Sequence, residues 1–142
     1  MPGLRHFALA GAAFGVVAAC SSDTSSNLPN VVGNWVVYQL QFVSAANSST
    51  KSDLPSGTSA ALAITATAFT ISSQGSTLLT GTYTETATTL VFTGMDAGGH
   101  AETLTFALGL SGSTLSLTGA TTTHNFGSGE VPAVLNIAGT KQ

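Results

Sequence analysis

Charged side chains are scarce in this sequence, at 6% of its 142 residues, whereas a typical soluble domain carries about 25%. Three are basic and six are acidic, which gives a net charge of −3. A chain with so few Lys and Arg residues cannot neutralise nucleic-acid phosphates, so we expect no nucleic-acid partner. The length gives room for one folded domain.

Long apolar runs are also rare, and the main one lies at the N-terminus. Phe7–Ala19 is an uncharged run of 13 residues that follows Arg5. This length is typical of the apolar region of a secretory signal and is too short for a bilayer-spanning helix. The run ends in Val17-Ala18-Ala19-Cys20, which resembles a bacterial lipobox. The resemblance implies that residues 1–19 form a signal peptide, cleaved between Ala19 and Cys20.

Cysteine occurs once, as Cys20, so no internal disulfide can form. The lipobox resemblance implies that acyl chains such as palmitate on Cys20 attach the chain to a membrane, and two or three such chains anchor a protein stably. Ser21 and Ser22 follow without an aspartate. By resemblance to enterobacterial sorting, this favours the outer over the inner membrane of the bacterial cell envelope. The alternative is an ordinary secretory signal with an incidental cysteine.

Residues 20–30 are polar and predict a flexible tether, and strand patterns with abundant threonine follow it. Apolar and polar side chains alternate with period two, and no stretch has a helical apolar stripe. The parity changes between Ile64 and Phe69, which predicts a tight turn or a bulge near residues 66–68. The alternation predicts eight strands, near residues 33–43, 60–65, 68–73, 77–86, 89–94, 101–110, 113–119 and 131–139.

The connections between these strands are short, except for Ser44–Ser59, which we expect to cover one end of the fold. Connections of two to five residues join antiparallel neighbours. Strand edges are normally protected by lysine or other charges, which are scarce here, and a closed barrel removes the edges altogether. Residues 31–142 are therefore predicted to form an all-β, small antiparallel up-and-down meander barrel of about eight strands.

Gly33-Asn34-Trp35 opens the first strand and resembles the Gly-x-Trp signature of lipocalins and related calycin barrels. The resemblance covers about residues 31–140. It implies that Gly33 and Trp35 are structural, with the tryptophan closing one end of the barrel beneath a late basic residue. Only Lys141 is placed to act as that residue. The alternative is that Trp35 is the core tryptophan of some other small β-domain.

The first strand leaves the orientation of its side chains open. If Trp35 points inward, Gln39 and Gln41 do so too unless a bulge shifts the register. Inward glutamines, together with Tyr83, are the candidate ligand-binding residues. The other face is apolar and forms a candidate partner contact through Tyr38, Leu40 and Phe42.

Residues able to carry catalysis are few. His100 and Glu102 are one residue apart and His124 is distant, whereas a zinc site takes three or four ligands. Glu85, Asp96 and Glu102 have no spacing that fixes a carboxylate pair, and no Gly-x-Ser-x-Gly motif occurs. We therefore predict no catalytic residues, no metal site and no cofactor, and we expect that the protein is not an enzyme.

Two classes of function remain. The first is a membrane-anchored binding module whose barrel holds a small apolar ligand or a lipid, because eight-stranded barrels are just wide enough for one small ligand. The second is a structural or protein-interaction envelope lipoprotein with a filled core, or an inhibitor of an envelope hydrolase, whose protein partner the sequence does not identify.

Overall fold

The computed structural model describes residues 27–142. Residues 1–26, which include the predicted signal peptide, Cys20 and most of the tether, lie outside the described residues. The described chain contains nine strands and no helix. The strands are β1 (Gly33–Ser44), β2 (Lys51–Asp53), β3 (Ala60–Ile64), β4 (Ala68–Ser73), β5 (Ser76–Glu85), β6 (Thr89–Asp96), β7 (Ala101–Ser111), β8 (Thr114–Asn125) and β9 (Glu130–Lys141).

Eight of these strands close into an antiparallel barrel in which consecutive strands are neighbours. The order runs from β1 through β3 to β9, and β9 pairs with β1 to complete the circle. This confirms the predicted all-β, up-and-down barrel and is compatible with a lipocalin-like fold. The short strand β2 is an addition inside the predicted long connection, and it pairs with β1 at Gln41–Val43.

The alternating direction of the strands gives the barrel two ends. We call the end at which β1 begins and β9 finishes the closed end; the turns at residues 65–67, 86–88 and 112–113 lie there. The other end, called the open end, carries the connection 45–59 and the turns 74–75, 97–100 and 126–129. All strand pairings and the core fall within residues 31–141, so the described chain contains a complete barrel.

The turns follow from residues that tolerate a left-handed backbone. Gln74 and Gly75 both have positive φ angles, of 49° and 78°, as a two-residue hairpin turn requires. The parity change predicted near residues 66–68 is a tight turn, in which the Thr65 backbone N–H donates to the Ala68 carbonyl at 2.8 Å.

A bulge in β1 settles the orientation that the sequence left open. Tyr38 is an extra residue relative to β9, because the register shifts between Val37 and Gln39. Trp35 and Val37 are buried before the bulge, and Leu40 is buried after it. The tryptophan therefore faces the interior. The bulge changes which of the following residues face inward, so Gln39 and Gln41 point away from the interior.

Candidate functional site

The closed end is sealed around Trp35. Its indole Nε1 donates a hydrogen bond to the Val31 carbonyl oxygen at 2.9 Å, and both side chains are almost completely buried. Lys141 lies across the ring, with Nζ 5.4 Å from the ring centroid, within the range of a cation–π interaction. This is the arrangement that the Gly-x-Trp resemblance implies.

Gly33 makes room for that lysine. A Cβ atom at this position would lie 2.6 Å from Lys141 Cε, and the backbone φ of 149° also disfavours a side chain. The glycine two residues before the tryptophan therefore lets the lysine stem pack flat against the strand. The first and last strands of the barrel are held together here by a residue pair as well as by the ladder.

Phenylalanine side chains fill the interior above the tryptophan. Phe69 and Phe92 stack with ring centroids 3.9 Å apart, and Phe106 meets Phe92 edge-on at 5.6 Å. All three are buried. Phe69 lies opposite Gly81 in register, and a Cβ at that glycine would collide with the β6 backbone at Thr93 and Gly94, so β5 and β6 approach each other closely at this level.

Above this aromatic layer the interior opens into a cavity of about 300 Å³ at the open end. Most of its wall is apolar. Inward residues of five strands contribute to it, namely Leu40, Phe42, Ile71, Leu79, Leu104 and Leu135, and so does Leu78, which is an extra residue of β5 in its pairing with β4. This volume is at the lower limit for small-molecule sites, which are mostly apolar with a few polar groups. We take this cavity as the candidate functional site.

Polar groups line the cavity as well, through Asp96, Glu102 and His124. Glu102 is on the same face of β7 as the buried Leu104, and it lies opposite Gly94 in register. Gly94 has no side chain that could lie over Glu102, so the Glu102 carboxylate can line the cavity. The cavity therefore has an apolar wall and two acidic side chains.

Asp96 is held in place by the β6–β7 turn. Its Oδ1 accepts hydrogen bonds from the backbone N–H groups of Gly98 and His100, both at 2.8 Å, and Oδ2 is 3.1 Å from the His100 Nδ1. The backbone N–H of His100, helped by its imidazole and by Gly98, holds the pKa of Asp96 below its ordinary value. Asp96 therefore presents a fixed negative charge at neutral pH.

An aromatic pair separates this cavity from a smaller one. Phe42 and His124 stack with centroids 4.0 Å apart, and Phe126 meets His124 edge-on at 4.8 Å. Leu40, Phe42 and His124 also line the second cavity, of about 160 Å³. Its far wall is formed by Ser52 and Asp53 of β2 and by Leu54 and Pro55 of the connection that follows. The long connection thus covers part of the open end.

The candidate ligand-binding residues chosen from the sequence lie away from the cavity. Gln39 is exposed on the outside, and Gln41 Nε2 donates to Asp53 Oδ1 at 2.7 Å. The Tyr83 hydroxyl donates to the Thr65 carbonyl at 2.9 Å, at the closed end. None of the three is among the residues that line either cavity.

The proposed outer apolar face is divided by the same bulge. Tyr38 is 60% exposed, but Leu40 is buried and Phe42 packs against the core. Leu40 and Phe42 are therefore walls of the cavity, and Tyr38 stands on the opposite surface. The sequence signal that would have found the polar cavity residues is parity, because Glu102 shares the inward alternation of Leu104 and Phe106.

Among residues 27–142, Glu85 is the one acidic side chain placed inward at the closed end. Its Oε1 is buried without a hydrogen-bond partner among the described residues. Burial raises the pKa of Glu85, and burial together with the neighbouring Glu85 charge raises the pKa of Tyr83. Glu85 ends β5 at the closed end, whereas Asp96 and Glu102 lie at the open end.

Within residues 27–142, no three His, Cys, Asp or Glu side chains are grouped so that they could hold a metal ion. The same part of the chain has no helix long and apolar enough to cross a membrane. No protein-family model matches the chain, and no curated protein matches it. The barrel and its cavity are the structural features that bear on function.

Proposed function

We propose that this protein is a non-catalytic, lipid-anchored bacterial envelope protein whose barrel binds one small, largely apolar ligand at its open end. The observation that carries the binding proposal is the cavity of about 300 Å³ walled by leucine side chains. Apolar surface of this kind gains free energy when an apolar group replaces water against it, at about 25 cal/mol per Å². A lipid chain segment or another small apolar molecule is the ligand class.

The anchor part of the proposal rests on Val17-Ala18-Ala19-Cys20 and on the polar residues that follow. A tether of about ten residues between Cys20 and the barrel would hold the barrel close to the membrane surface. The lipocalin-like assignment is supported by the closed eight-stranded barrel and by the position of Trp35 under Lys141.

Native mass spectrometry of residues 21–142, purified from cells without the lipid anchor, tests ligand binding. We expect a population whose mass exceeds that of the polypeptide by one small molecule. Leu104→Phe should remove this population, because the larger side chain extends into the cavity. The matched control is Val36→Phe, since Val36 is 42% exposed on the outer surface. A bare mass for the unaltered barrel, also after incubation with short-chain lipids, would favour the structural or protein-interaction alternative.

The anchor has a separate test in the full chain. Cys20→Ala should move the protein from the membrane fraction to the soluble fraction and abolish its partitioning into detergent. Ser21→Ala is the control, because it alters the neighbouring residue and keeps the thiol. Retention of the Cys20→Ala protein on membranes would show that another feature attaches it.

A further inference from the structure

The side chains that line the cavity at the open end include two carboxylates and no lysine or arginine. The fixed charges in its lining are the carboxylates of Asp96 and Glu102. Of the two lysines in the described chain, Lys51 is exposed on β2 and Lys141 covers Trp35 at the closed end, and neither is a lining residue. An anionic group entering the cavity would therefore meet negative charge without a lysine to compensate it.

Both carboxylates are placed by the strands and not by mobile loops. Asp96 is the last residue of β6 and is paired with Leu79, and Glu102 lies one residue inside β7. The turn N–H groups of Gly98 and His100 fix the Asp96 carboxylate. This fixed position next to apolar walls strengthens the interaction with a cation, because the effective dielectric constant is lower there than in water.

The neighbouring groups add no permanent positive charge. His100, which contacts Asp96 Oδ2, has a side chain that is 80% exposed, and His124 stacks on Phe42. An imidazole carries positive charge only when it is protonated, so neither histidine is a permanent cation. Across the Phe42–His124 pair, the smaller cavity adds a third carboxylate, that of Asp53.

We propose that the cavity selects an amphiphile with a short apolar chain and a protonated amine head, the chain lying among the leucines and the ammonium group near Asp96 and Glu102. This inference rests on the proposed binding function and narrows its ligand class. A fatty acid of the same chain length is disfavoured, because its carboxylate would face two like charges. A neutral alcohol gains the apolar contacts alone.

Isothermal titration calorimetry of residues 21–142 at pH 8 with octylamine, octanol and octanoate tests the proposal. The three probes share one chain length and differ in the charge of the head. At this pH a primary amine is protonated and a carboxylic acid is ionised. We expect octylamine to bind about tenfold more tightly than octanoate, with octanol between them, and the difference to shrink at high salt.

The variant Glu102→Gln assigns the effect to the cavity. It should weaken octylamine binding about threefold to fivefold, leave octanol unchanged and strengthen octanoate. Glu130→Gln is the control, since Glu130 is an exposed carboxylate at the same end that does not line the cavity. Circular dichroism and thermal unfolding of both variants establish that the barrel is intact.

The outcomes separate the two proposals. Equal or tighter binding of octanoate, or an equal response to Glu102→Gln and Glu130→Gln, would overturn the amine preference while ligand binding stands. If none of the three probes binds up to millimolar concentration, the binding function itself fails, and the preference fails with it.

Discussion

The two ends of this barrel are built from the same strands and the same alternation, yet they differ in what fills them. At the closed end Trp35 and the phenylalanine stack occupy the interior, and Lys141 covers the opening. At the open end the inward residues are mainly leucines, which leave a cavity of about 300 Å³. The comparison shows that side-chain volume at each level, and not strand pattern, separates the filled end from the end that contains a cavity.

Trp35→Ala should break the closed end and have the largest effect. Removing a buried indole leaves a cavity and an unpaired Val31 carbonyl, and such truncations cost about 3–5 kcal/mol. Chemical denaturation gives the free energy of unfolding. Trp35→Phe is the control, since it keeps an aromatic ring and loses mainly the 2.9 Å hydrogen bond; it should cost less. A loss below about 1 kcal/mol for the alanine variant would show that the tryptophan does not seal the barrel.

The same truncation at two leucines compares the two ends directly. Leu62 is fully buried opposite Trp35 in register, whereas Leu79 borders the cavity. Leu62→Ala should cost about 3–4 kcal/mol and Leu79→Ala about 2 kcal/mol, because a side chain beside a cavity has fewer atoms in contact with it. Both values come from denaturant titration. Equal costs would mean that the open end is packed as tightly as the closed end.

Gly81→Ala tests how closely β5 and β6 approach each other where the phenylalanine-filled interior meets the cavity. A Cβ at Gly81 would overlap the Thr93 carbonyl oxygen and the Gly94 backbone, so the strands must separate, at a cost of about 1–3 kcal/mol. Gly109→Ala is a matched strand control, because its Cβ would lie 3.5 Å from Ser116 Cβ, an ordinary contact. Its effect should stay within about 0.5 kcal/mol. Similar thermal stabilities for the two variants would contradict the close approach of β5 and β6.

Glu85→Gln concerns the unpaired carboxylate of the closed end and should have the smallest effect. Burial raises the pKa of Glu85, so the folded state keeps this proton to a higher pH than the unfolded chain does. Stability contributed by the protonated group is present at low pH and is lost as pH rises through the folded pKa. The variant should therefore be more stable at pH 7, by at most about 1 kcal/mol, and approach the unaltered protein near pH 4.

Thermal unfolding between pH 4 and pH 8 measures this difference. Glu130→Gln is the control, since Glu130 is exposed on β9. A gain at pH 7 that persists undiminished at pH 4 would show that the effect does not arise from the ionisation of Glu85.

Much of the barrel could be predicted because alternation acts locally. Phe106, for example, is buried because apolar and polar side chains alternate along its strand, and this places Phe106 on the inward face. The turns follow from residue pairs such as Gln74-Gly75, whose backbone φ angles are positive. The bulge at Tyr38 could not be predicted. Nothing in the residues of the first strand marks Tyr38 as the extra one, and the bulge is evident only from the pairing of β1 with β9, which is distant in the chain. The glutamines were therefore considered as interior groups, whereas the cavity is lined by other residues.

The sequence by itself determined the all-β class, the antiparallel order and the approximate positions of the eight barrel strands, since each depends on residue type and short spacing, but it missed β2 and placed the end of β8 too early. Only the tertiary structure decided which end is filled. Trp35 and Lys141 meet through the β1–β9 pairing, and Asp96, Glu102 and His124 line one cavity through three different strands. Trp35 and Lys141 are far apart in the chain, as is His124 from Asp96 and Glu102, and these residues come together only when the barrel closes.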